Sequence, residues 1–300
     1  MEDRLYKFAR LVDAGSYTKA ARLMHISQPA LTTAIKKLER ELHAELLIRN
    51  SHTFKLTAAG SIAYDTAKEL SIQARNLKLR LSEAADRKVS LGLGMIDSMA
   101  ELLFIQGDSL SELERGTHLS LTVDNTTQLL TYVEHDDLDI ALIAKPPVLS
   151  SSLMAIDLGE EPLILVTHTS RVKEVGRQLE DNELRHFLHY NQNARTHRLI
   201  SRHFAQRDIE LRPAFYSTSP EIMLQLVLAK RGAAVLPYLL VKPYVKQGQL
   251  MPIVAGDTCI VGRNIVSIHR AGRSLPDQVN NLLSKTRTQL SQLNAEAKLL

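Results

Sequence analysis

Apolar positions in the first 42 residues recur with helical period. Leu5, Phe8, Leu11 and Val12 share one face and predict a first helix that stops before Gly15. Ala20, Ala21, Leu23 and Met24 predict a short second helix, with Thr18 placed to cap it. His25-Ile26 turns the chain, Ser27 is a good N-cap, and Pro29 suits the first turn of a third helix. In that helix Leu31, Ile35, Leu38 and Leu42 line one face, while Gln28, Thr32, Thr33, Lys36 and Lys37 line the other. Residues 46–49 and 50–57 then read as two short strands around a polar turn.

The period changes after Thr57. Ala63, Ala67, Leu70, Ala74, Leu77, Leu81 and Ala84 alternate by four and three, flanked by Arg75, Lys78, Arg80 and Glu83. A helix packed on its own domain would fit, but a seam this narrow and regular favours two such helices packed together. Beyond Lys88 strand and helix patterns alternate. Strands are predicted at 89–95, 119–123, 139–143, 163–167, 214–216, 233–236 and 260–269, and helices at 98–113, 126–134, 196–205, 220–229 and 276–290. The expectation is an α/β body with a largely parallel sheet in two lobes, with crossovers near 160–162 and 262–264.

Charge sharpens the picture. Residues 1–88 hold 16 Lys and Arg against 10 Asp and Glu, net +6, which leaves net −2 for the rest of a chain whose total is +4. A basic head on a near-neutral body is the footprint of nucleic-acid binding, though a chance fluctuation leaves the same trace. Cys259 is the one cysteine in the sequence, which excludes a disulfide scaffold or a cysteine-built zinc site. The start is charged, and no apolar run approaches the ~20 residues of a membrane span. A soluble cytoplasmic protein, without membrane contact, is expected.

Alanines that let two helices cross closely, a tight turn and a third helix with a polar-basic face describe a helix-turn-helix. An ordinary three-helix bundle with a solvated face fits the same pattern. In the former, the start of the third helix would meet base edges in a major groove. The following hairpin would be a basic wing, with Arg49, His52 and Lys55 against phosphates or the minor groove.

Residues 8–21 and 23–31, with Ile35-Lys36-Lys37-Leu38-Glu39, Leu46-Leu47-Ile48-Arg49 and residues 56–60, resemble the head of LysR-type transcriptional regulators. Residues 137–142 and 232–237 agree more loosely with strings of the same family. The resemblance implies a winged helix-turn-helix over 1–58 and a dimerising linker helix over 59–88. It also implies a two-lobed effector domain over 89–300, built like a periplasmic binding protein. Lobe I would take about 89–160 and 265–300, and lobe II about 161–264. It implies homodimers through the linker helix that assemble into homotetramers, bind interrupted palindromes in double-stranded DNA, and act with RNA polymerase where they activate.

The candidate DNA-contacting set is Thr18, Ser27, Gln28, Pro29, Ala30, Thr32, Thr33, Lys36, Arg49, His52 and Lys55. Gln28, Pro29 and Thr32 occupy positions that contact DNA in the family. Thr32-Thr33 stands where the family often has Ser-Arg, so one guanine-reading arginine is absent. His43 stands at the usual turn glycine, Leu47 at the usual phenylalanine, and His52 at the wing's basic position.

For the effector cleft the resemblance points to loops at strand ends, where helix N-termini favour anions. Its candidates are Asp97, Ser98, Asn125, Thr126 and Lys145 from one lobe and Asn191, Arg195, Ser217 and Thr218 from the other. Ser98, Thr126 and Ser219 are also good N-caps in their own right. Lys145 and Arg195 suit an anion and Asp97 an amine, so a small anionic or zwitterionic metabolite is expected. No cofactor or metal is expected: the glycines of Gly92-Leu93-Gly94 lack a third, and His186, His189, His197 and His203 read as a scattered surface set. A binding protein or enzyme whose head serves only assembly is the rival reading. It would need a converging catalytic constellation, and none is seen.

Overall fold

The structure, a computed structural model, describes residues 1–49, 54–85, 88–105, 109–172, 183–254 and 259–300. They form two compact units: Met1–Val89 with Gly272–Ser274, and Ser90–Ala271 with Leu275–Leu300.

The first unit holds α1 (Glu2–Ala14), α2 (Tyr17–Leu23), α3 (Gln28–Glu41), β1 (Leu47–Arg49), β2 (Phe54–Leu56) and α4 (Ala58–Ala84). Gly15 closes α1 at φ +66°, where its N–H donates to the carbonyls of Leu11 and Val12; a left-handed cap of this kind favours glycine. Ser16, not Thr18, caps α2, its hydroxyl accepting from the Lys19 N–H at 3.5 Å. Thr18 lies inside the helix. Ser27 caps α3 as expected, accepting from the Ala30 N–H at 3.3 Å. Phe8, Leu11, Ala20, Leu31, Ile35 and Leu38 are fully buried and join the three helices. The two strands pair antiparallel with Leu47 opposite Leu56. A side chain at Gly60 would reach 2.0 Å from the Leu46 carbonyl oxygen, so only glycine lets α4 start this close to the hairpin.

The predicted heptad seam on α4 divides in two. Ala63 and Ala67 join the core of the head, and the Lys68 ammonium, 2.7 Å from Asp13, ties α4 to α1 together with a hydrogen bond from the Tyr64 hydroxyl to Asp13. Further along, Leu70, Ala74, Leu77 and Leu81 are exposed, Leu77 and Leu81 by 57% and 59%.

The second unit contains β3 (Val89–Met95), α5 (Asp97–Ile105), α6 (Ser109–Gly116), β4 (Thr117–Val123), α7 (Thr126–Glu134), β5 (Ile140–Ala144) and β6 (Leu153–His168). After these come β7 (Glu183–Tyr190), α8 (Arg195–Ala205), β8 (Glu210–Ser217), α9 (Pro220–Leu228), β9 (Ala233–Pro237), α10 (Tyr238–Lys246), β10 (Leu250–Pro252), β11 (Ile260–Arg270) and α11 (Asp277–Ala297). Among the described residues these strands form one nine-stranded sheet in the order β4-β3-β5-β11-β6-β9-β7-β8, with β10 on β6.

The sheet is mixed, which corrects the expectation of a largely parallel one. β3 and β5 pair in parallel, as do β7 with β8 and with β9. Between these groups β11 runs antiparallel to β5 and to β6, and β6 antiparallel to β9. The two segments read as crossovers lie inside these long strands, with Glu161 directly opposite Arg263 and Pro162 opposite Gly262. β6 was foreseen only over its continuously buried end; before that, over Leu153–Glu160, most of its positions are exposed and give no apolar run. Within the helix foreseen at 98–113 the described residues form α5 and α6, and residues 106–108 lie outside the described residues.

Candidate functional site

On the head, α3 presents Gln28, Pro29, Ala30, Thr33, Lys36 and Lys37 as exposed residues. The Thr18 hydroxyl donates to Gln28 Oε1 at 3.2 Å, so α2 orients the amide of the first residue of α3. Thr18 thus holds the Gln28 side chain in place of the capping role its position suggested. Thr32 is half-buried and donates to the Gln28 carbonyl at 3.0 Å, so its hydroxyl is engaged with its own helix. Ser27 is exposed but spends its oxygen on the cap. Lys55 is exposed on β2, Arg49 ends β1, and His52 lies outside the described residues. The predicted face is therefore assembled around Gln28, Thr33 and Lys36.

In the second unit a cavity of about 430 Å³ opens where α5, α7, α8 and α9 begin. Asp97, Ser98, Asn125, Thr126, Asn191, Arg195 and Thr218, all predicted, line it. Two predicted residues do not. The Lys145 ammonium lies outside, 3.9 Å from Asp157 on the surface. Ser217 closes a local turn, its hydroxyl accepting from the Ser219 N–H at 3.0 Å and donating to the Ser219 carbonyl at 3.2 Å.

The caps also differ from expectation. Asn125 caps α7, accepting from the N–H groups of Thr127 and Gln128 at 3.0 and 3.1 Å, which leaves Thr126 as the first helical residue. Ser98 is the second residue of α5. Ser219 does cap α9.

The side chain at the base of the cavity was missed altogether. Arg263, 9% exposed, donates from Nε to Glu161 Oε2 at 2.8 Å and from Nη2 to the same oxygen at 2.5 Å. Nη1 donates to Thr196 Oγ1 and Nη2 to Ser98 Oγ, both at 3.0 Å. One guanidinium thus joins the spine of the sheet to the starts of α5 and α8. Burial works against its charge, but Glu161 and Tyr190 outweigh that and hold it above the usual arginine value. The signal for it was the charge of Glu160-Glu161 and of Arg263 interrupting two otherwise largely apolar stretches. Tyr190, Thr196 and Asp124 also line the cavity and were not foreseen.

The matches to known proteins agree with this division of labour. Residues 3–61 match the bacterial regulatory helix-turn-helix protein model of the lysR family, and residues 90–291 match the LysR substrate binding domain model. The chain belongs to the LysR family. The Hca operon transcriptional activator HcaR of Escherichia coli is 31% identical to this LysR-family chain over 160 residues, 53% of this chain and 54% of HcaR. The match thus spans about half the length of that curated relative. Two solved structures share the fold of the LysR-family chain. A full-length OxyR variant from Pseudomonas aeruginosa gives a TM-score of 0.65 at 20% identity, covering 96% of this chain and 97% of that one. Vibrio fischeri DarR in complex with DNA gives 0.51 at 20% identity, covering 97% and 98%.

Of the four histidines expected to be a scattered surface set in this LysR-family chain, His186 is exposed, but His189 and His197 come together. His189 is buried and stacks on His197 with ring centroids 4.0 Å apart, and Tyr216 stacks beyond them. The Tyr190 N–H donates to His189 Nδ1 at 3.0 Å, so Nε2 carries the proton toward Ser201 Oγ at 3.1 Å. Burial and then the neighbouring His197 push His189 down to about 3, and the ring is neutral. Among the described residues no group of three or more His, Cys, Asp or Glu is placed to hold a metal, and no helix is long and apolar enough to cross a membrane.

Proposed function

We propose that this chain is a sequence-specific, DNA-binding transcriptional regulator governed by a small molecule held in the second unit's cavity. The observation that carries the reading is the exposed start of α3, capped by Ser27 and with Gln28 oriented by Thr18, inside a helix-turn-helix of the matching family. Gln28 and Thr33 would read bases, helped by Thr32, while Lys36, Arg49, His52 and Lys55 would meet phosphates or the minor groove. In this reading 1–58 would be the winged head, 59–88 the linker helix and 89–300 the effector-binding domain.

The uncovered leucines of α4 support pairing with a second copy, and two pairs would make the tetramer. Effector binding would change the closure of the two halves of the second unit and, through the oligomer, the spacing of the heads and the bend of the DNA. A regulator of this kind works in the cytoplasm, meets RNA polymerase where it activates, and performs no catalysis of its own.

Fluorescence anisotropy tests the reading, with the purified protein titrated across a salt series against DNA from upstream of its own gene. Competitor-resistant binding with a steep log–log salt slope is the expected result. Gln28→Ala should weaken the cognate site by about tenfold or more and relax base discrimination. Binding that is weak and indifferent to sequence on every fragment of a genome-wide pull-down would overturn it.

A further inference from the structure

The cavity has two chemically different sides. On the side beyond β7, three polar atoms are buried without a hydrogen-bond partner: the Tyr190 hydroxyl oxygen and Nε and Nη1 of Arg195. Tyr190 is only 5% exposed, and both residues line the cavity. The adjacent N-terminus of α8 has no side-chain cap, so its first N–H groups add to the same side. Buried donors without acceptors are rare in folded proteins and mark a place where another molecule supplies the acceptor. A planar guanidinium beside a hydroxyl and backbone N–H groups matches a carboxylate.

On the side beyond β3 and β4 the balance is reversed. Asp97 and Asp124 line the cavity, and Glu221, at the start of α9 beyond β8, is near enough to act on both Asp97 and Tyr190. Burial and then the negative charge of Glu221 push the Asp97 carboxyl above the usual carboxylate range, against the pull of Arg263. Glu101 is pushed up by burial and Glu221 in the same way. Carboxylates crowded together and short of solvent favour a cation between them. A plain dicarboxylate would meet repulsion here, and a plain amine would leave Arg195 and Tyr190 without an acceptor. Ile96, Pro220 and Pro237 complete the lining with apolar surface for an uncharged side chain.

We propose that this cavity takes an α-amino acid with an uncharged side chain, its carboxylate against Arg195 and Tyr190 and its ammonium against Asp97 and Asp124. The assignment rests on the reading of the cavity as the effector site.

The test is calorimetric titration and thermal unfolding of the full chain with each common L-amino acid. For any that bind, the matched amine lacking the carboxylate and the matched acid lacking the amine are run alongside. The expected result is one or a few amino acids that raise the melting temperature. Each truncated analogue should bind about ten- to a hundredfold more weakly. Arg195→Gln should erase the preference over the amine, and Asp97→Asn the preference over the deaminated acid. These crossed losses are not produced by a merely damaged fold.

The assignment is overturned if no amino acid binds, or if the deaminated acid or the amine binds as well as the parent. A parallel panel of simple anions, amines and sugars separates the two kinds of failure. A ligand from that panel whose binding is lost in Ser98→Ala and Thr126→Ala keeps the effector site and discards the zwitterion. Ligands that bind but ignore every cavity substitution discard both.

Discussion

Replacing Arg263 by methionine removes the positive charge from the centre of the cavity floor while keeping most of its volume. Glu161, 3% exposed, then has no cation beside it. A lone buried carboxylate is expensive, and breaking such a pair typically costs about 3–5 kcal/mol. The ceiling is set by proton uptake. From pH 7 down to an ordinary glutamate value of about 4.3, protonation costs about 4 kcal/mol at ~1.4 kcal/mol per pH unit. The variant should therefore lose about 4 kcal/mol at pH 7.

The pH dependence follows in sign. In the variant the folded carboxyl titrates above its unfolded value, so stability relative to the parent is lost as pH rises and regained as pH falls, at about 1.4 kcal/mol per unit down to roughly pH 4.5. Combining Arg263→Met with Glu161→Gln removes the charge and should recover about 3 kcal/mol of the deficit at pH 7. Since the chain has no tryptophan, urea unfolding is best followed by far-ultraviolet circular dichroism at several pH values. A deficit below about 1 kcal/mol that does not vary with pH would refute the reasoning, because it would mean that water already screens the pair.

Three other outcomes follow from the structure. His189 refuses a proton in the folded chain that the unfolded chain accepts, so between pH 7 and pH 5 the protein should lose about 2 kcal/mol of stability; urea midpoints for His189→Gln should show that slope flattened. His43 sits at φ +50°, in the left-handed region, so His43→Gly should raise the stability of the head by about 1 kcal/mol, read as an upward shift of its melting transition. Leu77→Lys with Leu81→Lys places charge on the uncovered face of α4 and should halve the mass seen by analytical ultracentrifugation, with loss of tight DNA binding; an unchanged mass would remove that face from the interface.

The head was legible because its signals are local. The 3.6-residue period, Ser27 with Pro29, and Gly15 each announce one feature within a single turn of helix, and α1, α3 and the hairpin fall where they announce them. Thr18 was misplaced because Ser16, two residues earlier, competes for the same cap and wins it. His43 was legible as a departure from the family's glycine, and its positive φ shows that the backbone keeps the turn and accepts the strain. In the second unit most strands were legible in part and strand direction was not, since alternation says which residues are inside but not which way a neighbour runs. β7 carries Glu183, Arg185, His186 and His189 in eight residues and hides its strand character, and Pro243 inside α10 hides that helix. The candidate cavity residues came from the family resemblance at strand ends and helix starts, and seven of the nine line one cavity. Arg263 and Glu161 could not be paired from sequence, because a separation of 102 positions carries no local trace of the ladder that sets them face to face.

The long antiparallel pair β6 and β11 has a consequence for how such a protein diversifies. That pair is held along its length by backbone pairing, with the Arg263–Glu161 side-chain bonds added at one rung, while the cavity's other selective groups sit on the short segments that follow β3, β4, β7 and β8. Exchanging Asp97, Asn125 or Arg195 for another side chain alters which molecule is welcomed and leaves the ladder untouched. New specificities can therefore accumulate one loop at a time in a lineage or a directed-evolution library. Substitutions at Glu161 or Arg263, where scaffold and cavity share the same atoms, should be the ones that selection refuses.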